Sequence, residues 1–353
     1  MKTIAIMNYK GGVGKTVTTI NFAAELAAAG KSVIVMDADG QCNLSDIFRA
    51  DTLHGGTTYE VLTGETGCCW DELVQDTPVE GVKIVPASAE LPKADIAALT
   101  GERLAKNGIR DFCLAVAEDE GADYILIDCP TAYNAATVAA LGAADEIIIP
   151  VELEGFSLHG AGEIRSQVAN MRTVNPRLRI AGALITKRRG TRIQEAAEQA
   201  LRVSGIPAFE AAIPLRASVP ASMSNLNASK TLMGYAPKDA ATKAYTSASS
   251  SSRKKCSLSQ IRKSLPNRSS ATRSCIKCIR KRSSEKMRPD RLLKGYAQRP
   301  KAGSQVLKPA ALTVLVPSTG SNAITSPSLI LREIQCAGRS LASALMTAVK
   351  KLV

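Results

Sequence analysis

Close to the amino terminus, the stretch "NYKGGVGKT" (8–16) sets three glycines, two lysines and a threonine in one loop. Gly11, Gly12 and Gly14 have no Cβ, so the backbone can bend sharply and aim successive N–H groups, that of Val13 among them, at an anion. Lys15 is placed to reach the β- and γ-phosphates of a nucleotide, and the Thr16 hydroxyl to ligate Mg²⁺. The common phosphate loop reads G-x-x-x-x-G-K-[ST]. Position 9, where its first glycine would stand, holds Tyr9, and a second cation, Lys10, follows at once. Three carboxylates belong to the same chemistry. "VIVMDAD" ends in Asp37 and Asp39, and "YILIDCP" carries Asp128. An acidic group at a strand end beside a phosphate loop holds Mg²⁺ directly or through water. Asp128 is expected in that role, with Asp39 orienting or activating the attacking water and Asp37 behind them.

These residues need rigid elements to hold them. "KTIAIM" before the loop reads as a buried strand, and "TVTTINFAAELAAAGK" after it as a helix ending at Gly30. Further apolar strands are expected at 32–37, 82–87, 123–130, 146–151, 179–186 and 208–214. Helices are expected over 94–118, 134–142, 158–173 and 192–203. Continuous apolar strands alternating with helices predict an α/β fold of the P-loop NTPase type: a mostly parallel twisted sheet with helices on both faces. Ligands of such sheets bind at the carboxyl ends of the strands. The glycine loop, Asp37, Asp128 and Pro150 all fall there.

The chain has 353 residues and a net charge of +13. The charge is uneven. Residues 1–245 hold 23 Lys and Arg against 29 Asp and Glu, whereas 246–353 hold 22 against 3. The basic balance therefore belongs to the tail. Nine cysteines without a regular framework fit a reducing cytosol. No apolar run approaches the ~18 residues of a membrane span.

Five stretches, "KGGVGKT", "DADGQCNLS", "IDCPTAYNAATVAAL", "IIIPVELEGFSLHG" and "GYAPKDAATKAY", together resemble the ParA/Soj/MinD family of deviant P-loop ATPases. The last of them points to the ParA/Soj branch, which partitions chromosomes and plasmids. The resemblance covers residues 1 to about 245. It implies ATP and Mg²⁺ as ligands, slow hydrolysis, and an ATP-dependent homodimer that sandwiches two nucleotides. Lys10 would then reach across the interface to the partner's phosphates, with Gly11 where the two loops approach. Asp39 would ready the attacking water and Pro214 would line the adenine. Non-specific DNA, a stimulating ParB-like protein and a place on the nucleoid in the cytoplasm are implied as well, with no membrane partner. "TKRRGTRIQEAA" gathers Lys187, Arg188, Arg189 and Arg192, enough to neutralise several phosphates without reading sequence. Arg216 resembles another basic position of the family. The chain departs from the family's D-x-D-P-Q-G-N at Gly40 and Cys42, and Pro130-Thr131 stands where a double proline is usual. Two alternatives stay open: a MinD-like membrane-cycling regulator, and an iron–sulfur carrier using Cys275 and Cys278.

From about Thr246 the text changes character. "TSASSSSRKKCSLSQIRKSLPNRSS" lacks core periodicity and reads as a disordered or nucleic-acid-binding tail. Residues 1–245 would thus be the ATPase domain and 246–353 a basic Ser/Arg/Lys-rich extension. A shifted reading frame also fits. Codons for Phe-Val-Val-Glu-Glu-Glu-Val-Leu, read one base later, give the residues written at Ser250 to Ser257. The final segment, "LREIQCAGRSLASALMTAVKKLV", is amphipathic.

Overall fold

A computed structural model describes residues 1–54, 56–64, 69–100, 107–154, 158–224 and 230–257. Cys275, Cys278 and the amphipathic final segment lie outside the described residues. In chain order the elements are β1 (Lys2–Ile6), α1 (Lys15–Ala28), β2 (Val33–Asp37), α2 (Asn43–Phe48), α3 (Thr58–Thr63), β3 (Gln75–Asp76), β4 (Val82–Val85), α4 (Leu91–Thr100), α5 (Gly108–Glu118) and β5 (Tyr124–Asp128). There follow α6 (Ala135–Ala143), β6 (Glu146–Glu152), α7 (Leu158–Met171), β7 (Arg179–Arg188), α8 (Arg192–Val203), β8 (Ala208–Pro214), α9 (Ser218–Met223), α10 (Leu232–Tyr235) and α11 (Ala240–Ser257). Eight strands form one sheet in the order β3-β4-β2-β5-β1-β6-β7-β8. Every pairing is parallel except the short edge strand β3 on β4.

Alternate residues of each central strand feed two separate cores, as the period of a pleated strand requires. Ile4, Ile6, Val35, Leu126 and Ile148 face Ile20, Phe22 and Leu26 of α1 and Tyr245 of α11. Ala5, Ile34, Met36, Ile127 and Ile149 face Phe112 of α5, Leu141 of α6 and Ile164 of α7. Both faces are covered, which explains why the strands read as unbroken apolar runs.

Two expectations about the elements change. The single helix expected over 94–118 is two, α4 and α5, because Asn107 takes a non-helical conformation (φ −145°, ψ 35°) and starts the second afresh. The stretch from Thr246, expected to begin the tail, continues the last helix to Ser257. Ala241, Tyr245, Ala248, Ser249 and Ser252 are buried along it, a helical spacing carried mostly by Ala and Ser. Small and polar side chains hid that period in the sequence. Thr246 Oγ1 donates to Glu25 of α1 at 2.9 Å, tying the two helices where the tail was expected to begin.

The Ser249 hydroxyl is buried and has no hydrogen-bond partner among the described residues. Ser249→Ala should raise stability by roughly 1 kcal/mol, since it removes an unpaid desolvation and favours the helix. Calorimetric unfolding of the full chain checks this; an unchanged or lowered midpoint would mean that the hydroxyl finds a partner.

Candidate nucleotide-binding site

The loop between β1 and α1 is shaped by its glycines and pinned at three points. Gly12 (φ 73°) and Gly14 (φ 88°) are left-handed, a conformation that costs other residues roughly 1 kcal/mol or more. Gly11 is not left-handed; a Cβ there would come only within 4.0 Å of Thr131. Asn8 fixes the start of the loop by donating to the Pro150 carbonyl at 2.7 Å and accepting from the Lys10 N–H at 2.9 Å. Thr186, at the end of β7, donates to the Val13 carbonyl at 2.8 Å. Tyr9, in the place of the missing glycine, packs edge-on against Tyr133 with ring centroids 6.3 Å apart. No side chain caps α1 and no acid lies in its first turn. Its N–H groups and positive end are therefore directed at whatever enters the loop.

The carboxylates converge on the same point. Asp37 and Asp128 are paired neighbours at the ends of β2 and β5. Asp128 is almost fully buried and accepts hydrogen bonds from Thr16 and, at 3.2 Å, from Thr19. Burial and then the Asp37 charge push its carboxyl up to about 8, against the pull of Thr16, Lys15 and Thr19. A cation at this point would reverse that shift. Lys15 is only 8% exposed. Burial lowers its pKa, and Asp128 and Asp39 oppose the change. Among the described residues no three His, Cys, Asp or Glu side chains gather into a closed metal site. Thr16 and Asp128 instead fit a divalent ion that keeps waters and takes phosphate oxygens as its other ligands.

Asp37 does not face the loop freely. Its Oδ2 accepts from both the N–H (2.9 Å) and the hydroxyl (2.7 Å) of Ser45, and its Oδ1 from the Asp39 N–H (3.2 Å). It is fully buried, and burial raises it to about 6. Asp37 thus supports the turn that carries Asp39. Asp39 itself is half-buried and accepts from the Gln41 N–H at 3.1 Å. Cys42 is left-handed (φ 54°) at the start of α2, a conformation that favours glycine. At Gly40 a Cβ would stand 3.3 Å from Pro92, so a bulkier residue there would have to displace α4.

Beside Gly12 and Gly14 opens a largely apolar pocket of about 490 Å³, walled by Val17, Pro214, Val219 and Tyr245. Pro214, expected to line the adenine, is one wall of this pocket. Val17 and Val219 lie in none of the quoted motifs, and Thr186, Ser45 and Tyr245 stand at the ends of three of them without having been singled out; only the folded chain brings these side chains to the loop.

The second cation and the basic cluster meet on the other side. Lys10 Nζ donates to the Glu154 carbonyl at 2.6 Å and lies 4.0 Å from the Glu152 carboxylate. Three residues of the basic cluster are paired within the chain: Lys187 with Glu152 at 3.5 Å, Arg188 with Glu198 at 3.3 Å and Arg189 with Glu154 at 2.7 Å. Arg188, Arg189 and Arg216 line one open depression of about 730 Å³ together with Glu198 and Glu210. Arg192, the first residue of α8, is exposed.

Residues 1–180 match the family model described as an AAA domain. The chain is 35% identical to the chromosome partitioning protein ParA of Caulobacter vibrioides (strain NA1000 / CB15N) over 218 residues, 61% of this chain and 80% of that protein. It is 34% identical to the chromosome-partitioning ATPase Soj of Thermus thermophilus over 217 residues, 61% of this chain and 81% of that one. Among solved structures it resembles apo McdA of Cyanothece (TM-score 0.60, 20% identity, 70% of this chain and 99% of that one). It also resembles the septum site-determining protein MinD of Pyrococcus horikoshii complexed with Mg-ADP (TM-score 0.58, 21% identity, 74% of this chain and 99% of that one). These structural likenesses speak for the fold. With the glycine loop, the second lysine and the paired strand-end aspartates in place, the sequence similarity shows that this chain belongs to the ParA/Soj branch of the P-loop ATPases.

Proposed function

We propose that this protein is a Mg²⁺-dependent partitioning ATPase. In this reading it forms an ATP-sandwich dimer, binds DNA non-specifically on the nucleoid, and drives DNA segregation with a ParB-like stimulating partner. The observation that carries the ATPase chemistry is the convergence of Lys15, Thr16 and Asp128 under a left-handed glycine loop, with an apolar pocket adjoining. The relatives' names, ParA and chromosome-partitioning ATPase Soj, support the partitioning role. No helix among the described residues is long and apolar enough to cross a membrane.

The roles follow from position. The loop N–H groups and Lys15 bind the phosphate chain, and the pocket at Pro214 takes the base. Thr16 and Asp128 would hold Mg²⁺, which when bound neutralises charge on the β- and γ-oxygens. Asp39 stands at the mouth on a turn fixed by Asp37 and Ser45, where it orients water. Lys10 serves a second subunit's phosphates, so the dimer depends on the nucleotide that both subunits share. Lys187, Arg188, Arg189, Arg192 and Arg216 contact DNA phosphates. A dimer doubles those contacts, which makes binding steeply salt-dependent.

Lys15→Ala should abolish nucleotide binding, whereas Lys10→Ala should bind ATP and stay monomeric. Gel filtration with a slowly hydrolysed ATP analogue distinguishes them, and an ATP-dependent dimer of the Lys10 variant would overturn the role in trans.

Asp39→Ala should keep the ATP-induced dimer and lose turnover by about 10²-fold or more, the usual scale for a positioned water-activating group. Asp128→Ala should lose Mg²⁺-dependent nucleotide binding as well. Phosphate release at saturating ATP is the measurement; parental turnover in the Asp39 variant refutes the assignment.

Changing Arg188, Arg189 and Arg192 together to Glu should remove ATP-dependent binding to a random-sequence duplex without affecting the dimer. Fluorescence anisotropy over a range of salt reads this out. Undiminished binding would move the DNA surface elsewhere.

A further inference from the structure

We infer that Glu154 is a positioning residue that holds the dimer lysine and a DNA-contacting arginine at once, and so couples nucleotide-driven dimerisation to DNA binding. The inference rests on the proposed DNA-binding dimer and names its regulation. Glu154 lies two residues past Glu152, the last residue of β6. Its main-chain carbonyl accepts Lys10 Nζ at 2.6 Å. Its two carboxylate oxygens accept Arg189 Nη1 at 2.7 and 2.9 Å. One oxygen also lies 3.4 Å from the Gln194 side-chain nitrogen. Gln194 is buried, and its own oxygen accepts from the Arg189 N–H at 2.6 Å and the Gly190 N–H at 3.2 Å. The loop from Lys187 to Gly190 is thereby folded down onto Glu154, with Lys187 held left-handed (φ 52°) at its start. Glu152 repeats the pattern more weakly, with Lys187 at 3.5 Å and Lys10 at 4.0 Å.

A carboxylate and a phosphate are equivalent partners for a guanidinium. Glu154 therefore occupies, within the subunit, the contact that a DNA phosphate would make with Arg189. DNA has to displace it. Lys10 in turn cannot reach a partner's phosphates while its ammonium sits on the Glu154 carbonyl. The tie to Lys10 is through the main chain, so when Lys10 leaves, the segment from Glu152 to Glu154 loses an anchor of position. Its carboxylate then grips Arg189 less well. Linkage requires the reverse too: DNA that takes Arg189 loosens the hold on Lys10 and favours the dimer.

The test uses the full chain, a fluorescent random-sequence duplex and a slowly hydrolysed ATP analogue, with the parent, Glu154→Gln and Arg189→Glu. Glu154→Gln should bind the duplex without nucleotide about twofold to fivefold more tightly than the parent, the range for releasing one exposed charge pair. Its salt dependence should steepen by about one phosphate contact. It should also dimerise at a several-fold lower analogue concentration, and added duplex should lower that concentration less than it does for the parent. A purely structural role for Glu154 would move neither the salt slope nor the analogue midpoint. If neither nucleotide-free affinity nor midpoint changes while Arg189→Glu weakens DNA binding, the inference is overturned and the DNA surface stands. If the analogue-bound parent dimer binds no duplex, the DNA reading falls and the coupling with it; a shifted dimerisation midpoint would then leave only the tie between Glu154 and Lys10.

Discussion

Two buried carboxylates side by side at the ends of β2 and β5 set the terms for everything around them. Asp37 and Asp128 are register partners; burial raises the cost of ionising both, and the Asp37 charge adds to it for Asp128. A fold of modest total stability does not carry such a pair unless something nearby repays it. Ser45 repays part for Asp37 through two hydrogen bonds. For Asp128 the repayment comes from Thr16, Lys15 and Thr19, all on α1. The helix that follows the glycine loop is thus fastened to the sheet by the same groups that would receive Mg²⁺ and phosphate. Ligand binding completes a charge arrangement that folding leaves unfinished.

The legible part of the sequence was the part whose chemistry is local. The glycine loop, the strand-end aspartates and the alternation of strands and helices each fall within a short run of residues, and the parallel sheet follows from them. Asn8, Ser45, Thr186 and Tyr245 escaped because their importance is non-local: Thr186 meets Val13 across 173 positions. The break between α4 and α5 was hidden because apolar residues continue on both sides of it. The continuation of α11 was hidden for the opposite reason, as alanine and serine fill a seam where larger apolar residues are usual. The basic cluster was visible, but its acidic partners were not, since Glu152, Glu154 and Glu198 are distant in sequence or read as ordinary helix-surface charge.

Pairing of the cluster changes its physical character. A free patch of five cations would attract any polyanion in any nucleotide state. Three of them are instead neutralised within the subunit, and the exposed Arg192 and Arg216 are left to begin an encounter. Such a surface is quiet until something rearranges it, a property that suits a protein expected to cycle on and off DNA.

Tyr245 closes one wall of the apolar pocket beside the glycine loop from a helix whose remaining buried side chains are chiefly Ala and Ser. Such a seam buries little apolar surface per turn, so what fills the pocket beside Tyr245 counts for more in holding α11 in place. Occupancy of the pocket adds its binding free energy to the closed helix and nothing to the open one. The amide protons of α11 therefore act as a gauge of the pocket: their exchange with solvent slows when it is filled.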